Sequence, residues 1–146
     1  YFKYYLHMAL VKGGYGNDYM NWLDVWRNNI KMGLTTWAEI SDLENTRSDC
    51  HAWGCSPNIE FFRTVLGIDS DAPGFSKIKI EPHLGNLTNV SGEIPHPSGK
   101  VAVAYKLDST KWNVQINLPI NTSGIFIWKA KNYILKAGNN SFVMNE

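Results

Sequence analysis

The chain has 146 residues, of which 44% are hydrophobic and 18% charged, and this composition excludes general disorder and is typical of a folded globular protein. Fourteen lysines and arginines against thirteen aspartates and glutamates give a net charge of +1, so charge favours neither nucleic acid nor an anionic membrane as a partner. Aromatic residues make up 13% of the chain and suit both core packing and stacking on sugar rings, and we expect an uncharged partner.

The first part of the chain has the periodicity of amphipathic helices. Apolar residues recur at helical spacing until Gly13 and Gly14, which predicts a first helix that ends there. Asp18 is a candidate cap for a second helix, which runs to about Lys31. The apolar stripe of this helix contains Tyr19, Trp22, Leu23, Trp26 and Ile30. Because the linker between the two helices is short, we expect them to be antiparallel neighbours.

A third helical pattern follows an irregular polar stretch at residues 41–49. One face of it carries Ile59, Phe62, Val65 and Leu66. Ser56 and Pro57 are suited to begin this helix, and Gly67 to end it. Alternatively, Pro57 lies inside a longer helix that begins near His51 and kinks at the proline. The sequence leaves both possibilities open.

Beyond Gly67 the hydrophobic period changes from that of a helix to that of a strand. Apolar residues occupy every second position over residues 77–80, 100–105 and 111–118. Shorter strand patterns follow at 125–128, 133–135 and 141–144. Turn residues at 121–124 and 138–140 separate them. We therefore predict a boundary near residues 69–76, with a helical part at 1–68 and an antiparallel β-sandwich at 69–146.

Cys50 and Cys55 lie too far apart along a helix for an easy disulfide, and we expect both thiols to be free and buried. The spacing of cysteines and histidines does not match a structural zinc site, and no metal or cofactor is expected. No apolar run is long enough to span a membrane, so we expect no membrane partner. The chain begins within an amphipathic pattern and without Met, which suggests a fragment of a longer protein.

The densest set of polar and aromatic residues lies between the second and third helices. Glu39, Arg47 and His51 occur there with Trp37 and Trp53, a combination able to bind and attack a polar, uncharged ligand. Structural roles are the alternatives. Glu39 would then cap a helix or pair with Arg47, His51 would be a hydrogen-bonded core residue, and the tryptophans would fill the core. Arg47 is also positioned to pair with Asp49.

Three stretches carry a resemblance to a known family: Gly33-x-Thr35-Thr36-Trp37-Ala38-Glu39, then Arg47-Ser48-Asp49-Cys50-His51-Ala52-Trp53, then Pro73-Gly74-Phe75 with Ile80-Glu81-Pro82-His83-Leu84-Gly85. In order and spacing, they resemble the C-terminal end of bacterial α-L-rhamnosidases, a glycoside hydrolase family. The resemblance continues through residues 92–97 and weakens after about Asp108. It implies the last helices of an (α/α)6 barrel followed by a C-terminal β-sandwich.

The resemblance also implies a reaction, the hydrolysis of terminal α-L-rhamnosides with inversion. Glu39 matches the general base of the family, His51 matches a histidine of the rhamnose subsite, and Trp53 lies nearby. The general acid would precede Tyr1, so the implied partners are a rhamnose-containing oligosaccharide or glycoside and the N-terminal part of the same protein. The fragment alone is then expected to be inactive. A periplasmic or secreted location is compatible with such an enzyme.

Two other roles remain open for the strand-rich part. The first is a noncatalytic carbohydrate-binding module that uses aromatic residues on the strands, such as Trp112 or Trp128. The second is a purely structural role, in which the sandwich closes the barrel and binds no ligand.

Overall fold

The computed structural model describes residues 1–146, and its first half is helical. The α-helices are α1 (Phe2–Leu10), α2 (Asp24–Lys31) and α3 (Ser56–Glu60). A wide turn at Val11–Tyr15 follows α1, and Gly14 breaks the helix there with a φ of +91°. The predicted end of the first helix is therefore confirmed. Residues Gly16–Trp22 form a 3-10 helix, so the α-helical part of the second helix begins later than predicted and Asp18 does not cap it.

One face of the second helix is buried, but not along the whole predicted stripe. Tyr19, Leu23 and Trp26 pack in a small core with Val65. Ile30, in contrast, is 62% exposed, and Asn29 takes the inward position at the end of α2. The prediction for Ile30 was wrong because Asn29 binds backbone on both sides, with its Nδ2 2.7 Å from the Val25 oxygen and its Oδ1 3.0 Å from the Ala38 nitrogen.

Both alternatives for the third helix are partly right: its α-helical turn begins at Ser56, and a helical run that contains Pro57 already begins just after His51. A 3-10 turn at Ala52–Cys55 leads directly into α3, and a wide helical turn at Phe61–Val65 continues it. Val65 and Leu66 are buried, whereas Ile59, predicted to share their face, is 50% exposed. Gly67 ends the segment with a φ of +78°, a conformation that favours glycine.

Six strands form one curled sheet: β1 (Ile68–Ser70), β2 (Lys77–Ile80), β3 (Asn89–His96), β4 (Gly99–Asp108), β5 (Lys111–Trp128) and β6 (Lys131–Asn145). The order is β1-β2-β5-β4-β3, and β6 pairs along β5. All pairs are antiparallel except β2 with β5. The predicted alternation at residues 77–80, 100–105 and 111–118 is confirmed by the inward positions, such as Ile78, Val103 and Val114.

The sheet is not a sandwich of short separate strands. β5 has 18 residues and would extend for about 50 Å between Trp112 and Trp128 if it were straight. The two rings are instead 5.9 Å apart, because the strand bends at an irregularity between Leu118 and Ser123 and returns over itself. The turn residues at 121–124 therefore mark a bend within β5, and those at 138–140 lie within β6.

The main core lies between the two halves of this bent hairpin and also receives Leu66 from the helical part. A buried hydrogen bond joins the two parts, since the Tyr105 hydroxyl donates to the Leu66 carbonyl over 2.8 Å. α1 to α3 do not by themselves form a closed barrel. Cys50 and Cys55 are free, as predicted, but both are exposed rather than buried. None of the helices has the length and apolar character needed to cross a bilayer.

Candidate functional site

The loop between α2 and the turn at Ala52–Cys55 carries the candidate site, and backbone bonds hold it closed. The Glu39 nitrogen donates to the Ser48 oxygen over 2.9 Å, and the His51 nitrogen donates to the Trp37 oxygen, also over 2.9 Å. Below the loop, the Trp26 indole donates to the Gly54 carbonyl over 2.6 Å. These bonds bring Glu39 and His51, which are twelve positions apart in sequence, into the same closed loop.

Glu39 and Arg47 form a two-pronged ion pair. The Arg47 Nε lies 3.0 Å from Glu39 Oε2, and a terminal guanidinium nitrogen donates to Oε1. The Glu39 side chain is only 9% exposed, whereas that of Arg47 is 79% exposed, so the arginine covers the carboxylate from the solvent side. Hydrogen bonds from Arg47 lower the pKa of Glu39 below its ordinary value, and this effect outweighs the partial burial that raises it. Glu39 is therefore ionised at neutral pH.

Trp53 connects Glu39 to His51. Its indole nitrogen donates to the Glu39 backbone oxygen over 3.0 Å, and its ring lies 4.1 Å from the His51 ring between centroids. The Tyr1 ring also packs near Trp53, with 5.7 Å between the two ring centroids. These contacts hold the indole of Trp53 in place. Because Trp53 is 43% exposed, a ligand can still reach it.

A cavity of about 290 Å³ lies against this arrangement. Glu39 and Trp53 line it, together with Trp37 and residues of α1 and α2, including Tyr1, Tyr4, Trp26 and Asn29. His51 lies beside Trp53 and does not itself line the cavity. An ionised carboxylate beside aromatic surfaces is suited to a polar, uncharged ligand, with the carboxylate available to accept a proton.

The structure thus brings together the three residues singled out in the sequence, Glu39, His51 and Trp53. It also selects between two pairings of Arg47, which binds Glu39 and not Asp49. Sequence reasoning missed Asn29, the buried amide that fixes the start of the loop. Its position three residues after Trp26 on the inward face was the available signal. No group of three His, Cys, Asp or Glu side chains is placed to hold a metal ion.

Residues 67–135 match the family model described as the bacterial alpha-L-rhamnosidase C-terminal domain. This part of the chain is therefore similar to the C-terminal domain of bacterial α-L-rhamnosidases. A curated α-L-rhamnosidase from an Alteromonas species is 34% identical over 80 residues, which are 54% of this chain and 9% of that protein. The chain therefore corresponds to a small part of this relative.

Solved α-L-rhamnosidase structures have the same fold. The enzyme from Aspergillus terreus matches with a TM-score of 0.71 at 22% identity, over 81% of this chain and 15% of that one. The Streptomyces avermitilis enzyme, solved with L-rhamnose, gives 0.71 at 18% identity over 82% of this chain and 15% of that one. The α-L-rhamnosidase match thus extends beyond the C-terminal domain model and includes part of the helical region.

Proposed function

We propose that the complete protein hydrolyses terminal α-L-rhamnosides with inversion, and that Glu39 is its general base. Residues 1–68 would be the last helices of an (α/α)6 barrel, and residues 69–146 the C-terminal β domain. The general acid would come from the part of the protein upstream of this chain. The observation that carries the proposal is the ionised Glu39 carboxylate, held by Arg47 on the wall of an aromatic cavity.

An inverting glycosidase needs a carboxylate that removes a proton from water as the water attacks the anomeric carbon. Such a base must be ionised before the reaction, and Arg47 favours the ionised form of Glu39. Each carboxylate oxygen can accept more than one hydrogen bond, so the pair with Arg47 leaves acceptor sites for the water. The acid would stand about 6.5 to 9.5 Å from Glu39, which leaves room for that water.

His51 and Trp53 are proposed to contact the sugar. The exposed indole of Trp53 offers an apolar face to the ring hydrogens and methyl group of a deoxy-sugar. The His51 ring can donate a hydrogen bond to a hydroxyl without requiring charge on the substrate. No cofactor or metal is needed for either role. Without the acid, this chain alone would be inactive.

The test is Glu39→Gln in the complete enzyme. We expect kcat for an aryl α-L-rhamnoside to fall by about 10²- to 10⁴-fold, the usual contribution of a general base, with KM little changed. The matched control is Asp42→Asn, because Asp42 is an exposed carboxylate of the same loop that binds only Glu44 and Asn45. Near-normal turnover by the Glu39→Gln enzyme would refute the proposal and favour a noncatalytic carbohydrate-binding role for this region.

A further inference from the structure

A second and larger cavity, of about 770 Å³, lies between the helical part and the sheet. We call it the helix–sheet groove. One wall is the 3-10 helix Gly16–Trp22, and the other is the loop at residues 81–87 with the end of β5. It shares no lining residue with the cavity beside Glu39. Its volume lies within the range of about 300 to 1,000 Å³ that is usual for ligand sites.

Trp128 offers an aromatic surface to the groove, and Trp112 supports it from the core. Trp112 is 6% exposed and packs edge to face with Trp128, which is half-buried. The Trp128 indole nitrogen donates to the Asn145 carbonyl over 3.3 Å, and its ring also contacts Phe126. Because these contacts already fix the Trp128 ring, a ligand that stacks on it pays little additional conformational entropy.

Exposed amides surround this aromatic surface. Asn17, Asn21 and Asn86 all line the groove. The Oδ1 of Asn17 accepts a hydrogen bond from the Gly85 nitrogen at 3.2 Å, which holds the amide in place and leaves its NH₂ group free to donate. Primary amides both donate and accept, so they match hydroxyl groups, which do the same.

Charged groups in the groove are of both signs. Asp18, Glu81 and Glu146 occur there together with Arg27 and Lys129. Two of these already have partners, since Arg27 pairs with Asp24 at 3.6 Å and Glu81 with Lys79 at 3.2 Å. A mixed set of this kind creates no strong field of one sign, so an uncharged ligand is favoured over a phosphate or a polyanion.

We propose that the helix–sheet groove is a second carbohydrate-binding site, which holds a neutral oligosaccharide chain on Trp128 and the surrounding amides. This goes beyond the proposed hydrolysis, because the site uses none of the residues beside Glu39. Its use would be to retain a polymer while another part of the same polymer is processed. Two linked sites on one molecule raise the effective affinity for a polymer without any new contact.

The test measures binding of the complete protein to polymers in native gels that contain a soluble rhamnose-branched polysaccharide, xylan or β-glucan. Saturating L-rhamnose is present, so that a site for the monosaccharide does not contribute. We expect retardation of the wild-type protein by at least one of these polymers. We further expect Trp128→Ala to weaken that binding about tenfold, the effect of losing about 1.4 kcal/mol from an aromatic contact.

Because Trp128 also packs on the core, a second variant that spares the core is needed. Asn21→Ala combined with Asn86→Ala changes only exposed groove residues and should weaken polymer binding as well. Its matched control is Asn113→Ala with Asn139→Ala, which removes two exposed amides from the sheet outside the groove. Hydrolysis of a small aryl rhamnoside should be the same in all of these variants.

The proposal is overturned if no neutral polymer retards the wild-type protein, or if the double groove variant binds like its control. Polygalacturonate, an acidic polymer, is run in a parallel gel, and stronger retardation by it than by the neutral polymers would overturn the assignment to a neutral ligand. Because binding is measured without turnover, an inactive or active Glu39→Gln enzyme changes neither outcome. Failure of the hydrolase proposal and failure of the groove proposal are therefore distinguishable.

Discussion

Arg47 donates to both carboxylate oxygens of Glu39 and covers them from solvent, and the two residues lie eight positions apart in one loop. A pair of this form fixes the orientation of a carboxylate as well as its charge, because a guanidinium offers parallel donors where an ammonium is a single point charge. Arg47 is thus proposed as a positioning residue for the base.

Arg47→Met should raise the pKa of Glu39, because the hydrogen bonds and charge that lower it are removed while the burial that raises it remains. In the complete enzyme, the acid limb of the kcat/KM profile should therefore move to higher pH. Arg47→Lys, which keeps the charge but loses the paired geometry, should move it less. The control is Arg27→Met, an exposed arginine paired with Asp24. An acid limb at the same pH in both methionine variants would contradict this role.

The same shift has a consequence for stability that does not depend on catalysis. Since the pKa of Glu39 is lower in the folded chain than in the unfolded chain, its ion pair stabilises the fold above the unfolded pKa of about 4.5. This contribution is lost as the pH falls through the folded value. Urea unfolding at pH 7 and pH 4 should show a smaller difference for Arg47→Met than for the wild-type chain. Equal differences would show that the pair contributes nothing to stability.

Gly67→Ala should destabilise the chain by more than the replacement of a positive-φ glycine by alanine usually does. Its φ is +78°, and an added Cβ would lie 2.5 Å from the Glu81 carbonyl oxygen and closer still to the carbonyl carbon. Gly33, with a φ of +81° and no atom within 4 Å of such a Cβ, is the matched control for the backbone strain alone. We expect about 1 kcal/mol for Gly33→Ala and about 3 kcal/mol or more for Gly67→Ala. Similar losses in urea unfolding would show that the loop at Glu81 yields to the added methyl group.

Tyr105→Phe should cost about 1 to 3 kcal/mol of unfolding free energy, because it leaves the buried Leu66 carbonyl without its donor. Tyr105 is fully buried, so water cannot replace the lost hydroxyl. Tyr133→Phe is the control, since the Tyr133 hydroxyl makes no hydrogen bond within the chain and its ring packs on the same core. Comparable stability of the two variants would show that the bond between Tyr105 and Leu66 contributes little.

The stability of the chain should also decline as the pH falls below 6.5. Burial lowers the pKa of His7 and of His83 below their ordinary value of 6.5, so the unfolded chain takes up protons that the folded chain does not. The loss should begin near pH 6.5 and continue down to the folded pKa of each histidine. His7→Phe, which fills the same space between Tyr19 and Trp22, should reduce this dependence. Combining it with His83→Gln should remove most of it, and an unchanged slope in the double variant would contradict the assignment.

Local patterns predicted the ends of the helices and the inward positions of the strands. The first helix was predicted to end at Gly13 and Gly14, and it does so because Gly14 tolerates the backbone conformation that stops it. Val101, Val103 and Tyr105 alternated with other residues because one face of β4 is buried. These features depend on neighbouring residues alone. β3 was missed because Gly92 and Pro95 are poor strand formers, and they are tolerated in a strand at the edge of the sheet.

Features that depend on distant contacts were not predictable in this way. Ile30 and Asn29 are neighbours, and the hydrogen bonds of Asn29 to the backbone of Val25 and Ala38 decide which of them faces inward. Similarly, the residues at 121–124 have the composition of a turn, and the pairing of β5 with β6 on both sides of them decides that the strand continues. For the candidate site, the sequence named Glu39, His51 and Trp53 and raised the pairing of Glu39 with Arg47 as an alternative. The cavity beside Glu39 required the folded chain.

The bent hairpin also determines how the β domain can come apart. β5 and β6 each run through both halves of the bent hairpin, on either side of the core. One half therefore cannot detach while the other stays folded. We therefore expect the two halves to unfold together as a single cooperative unit. Amide hydrogens on the two sides of the bend should then exchange with deuterium at the same rate.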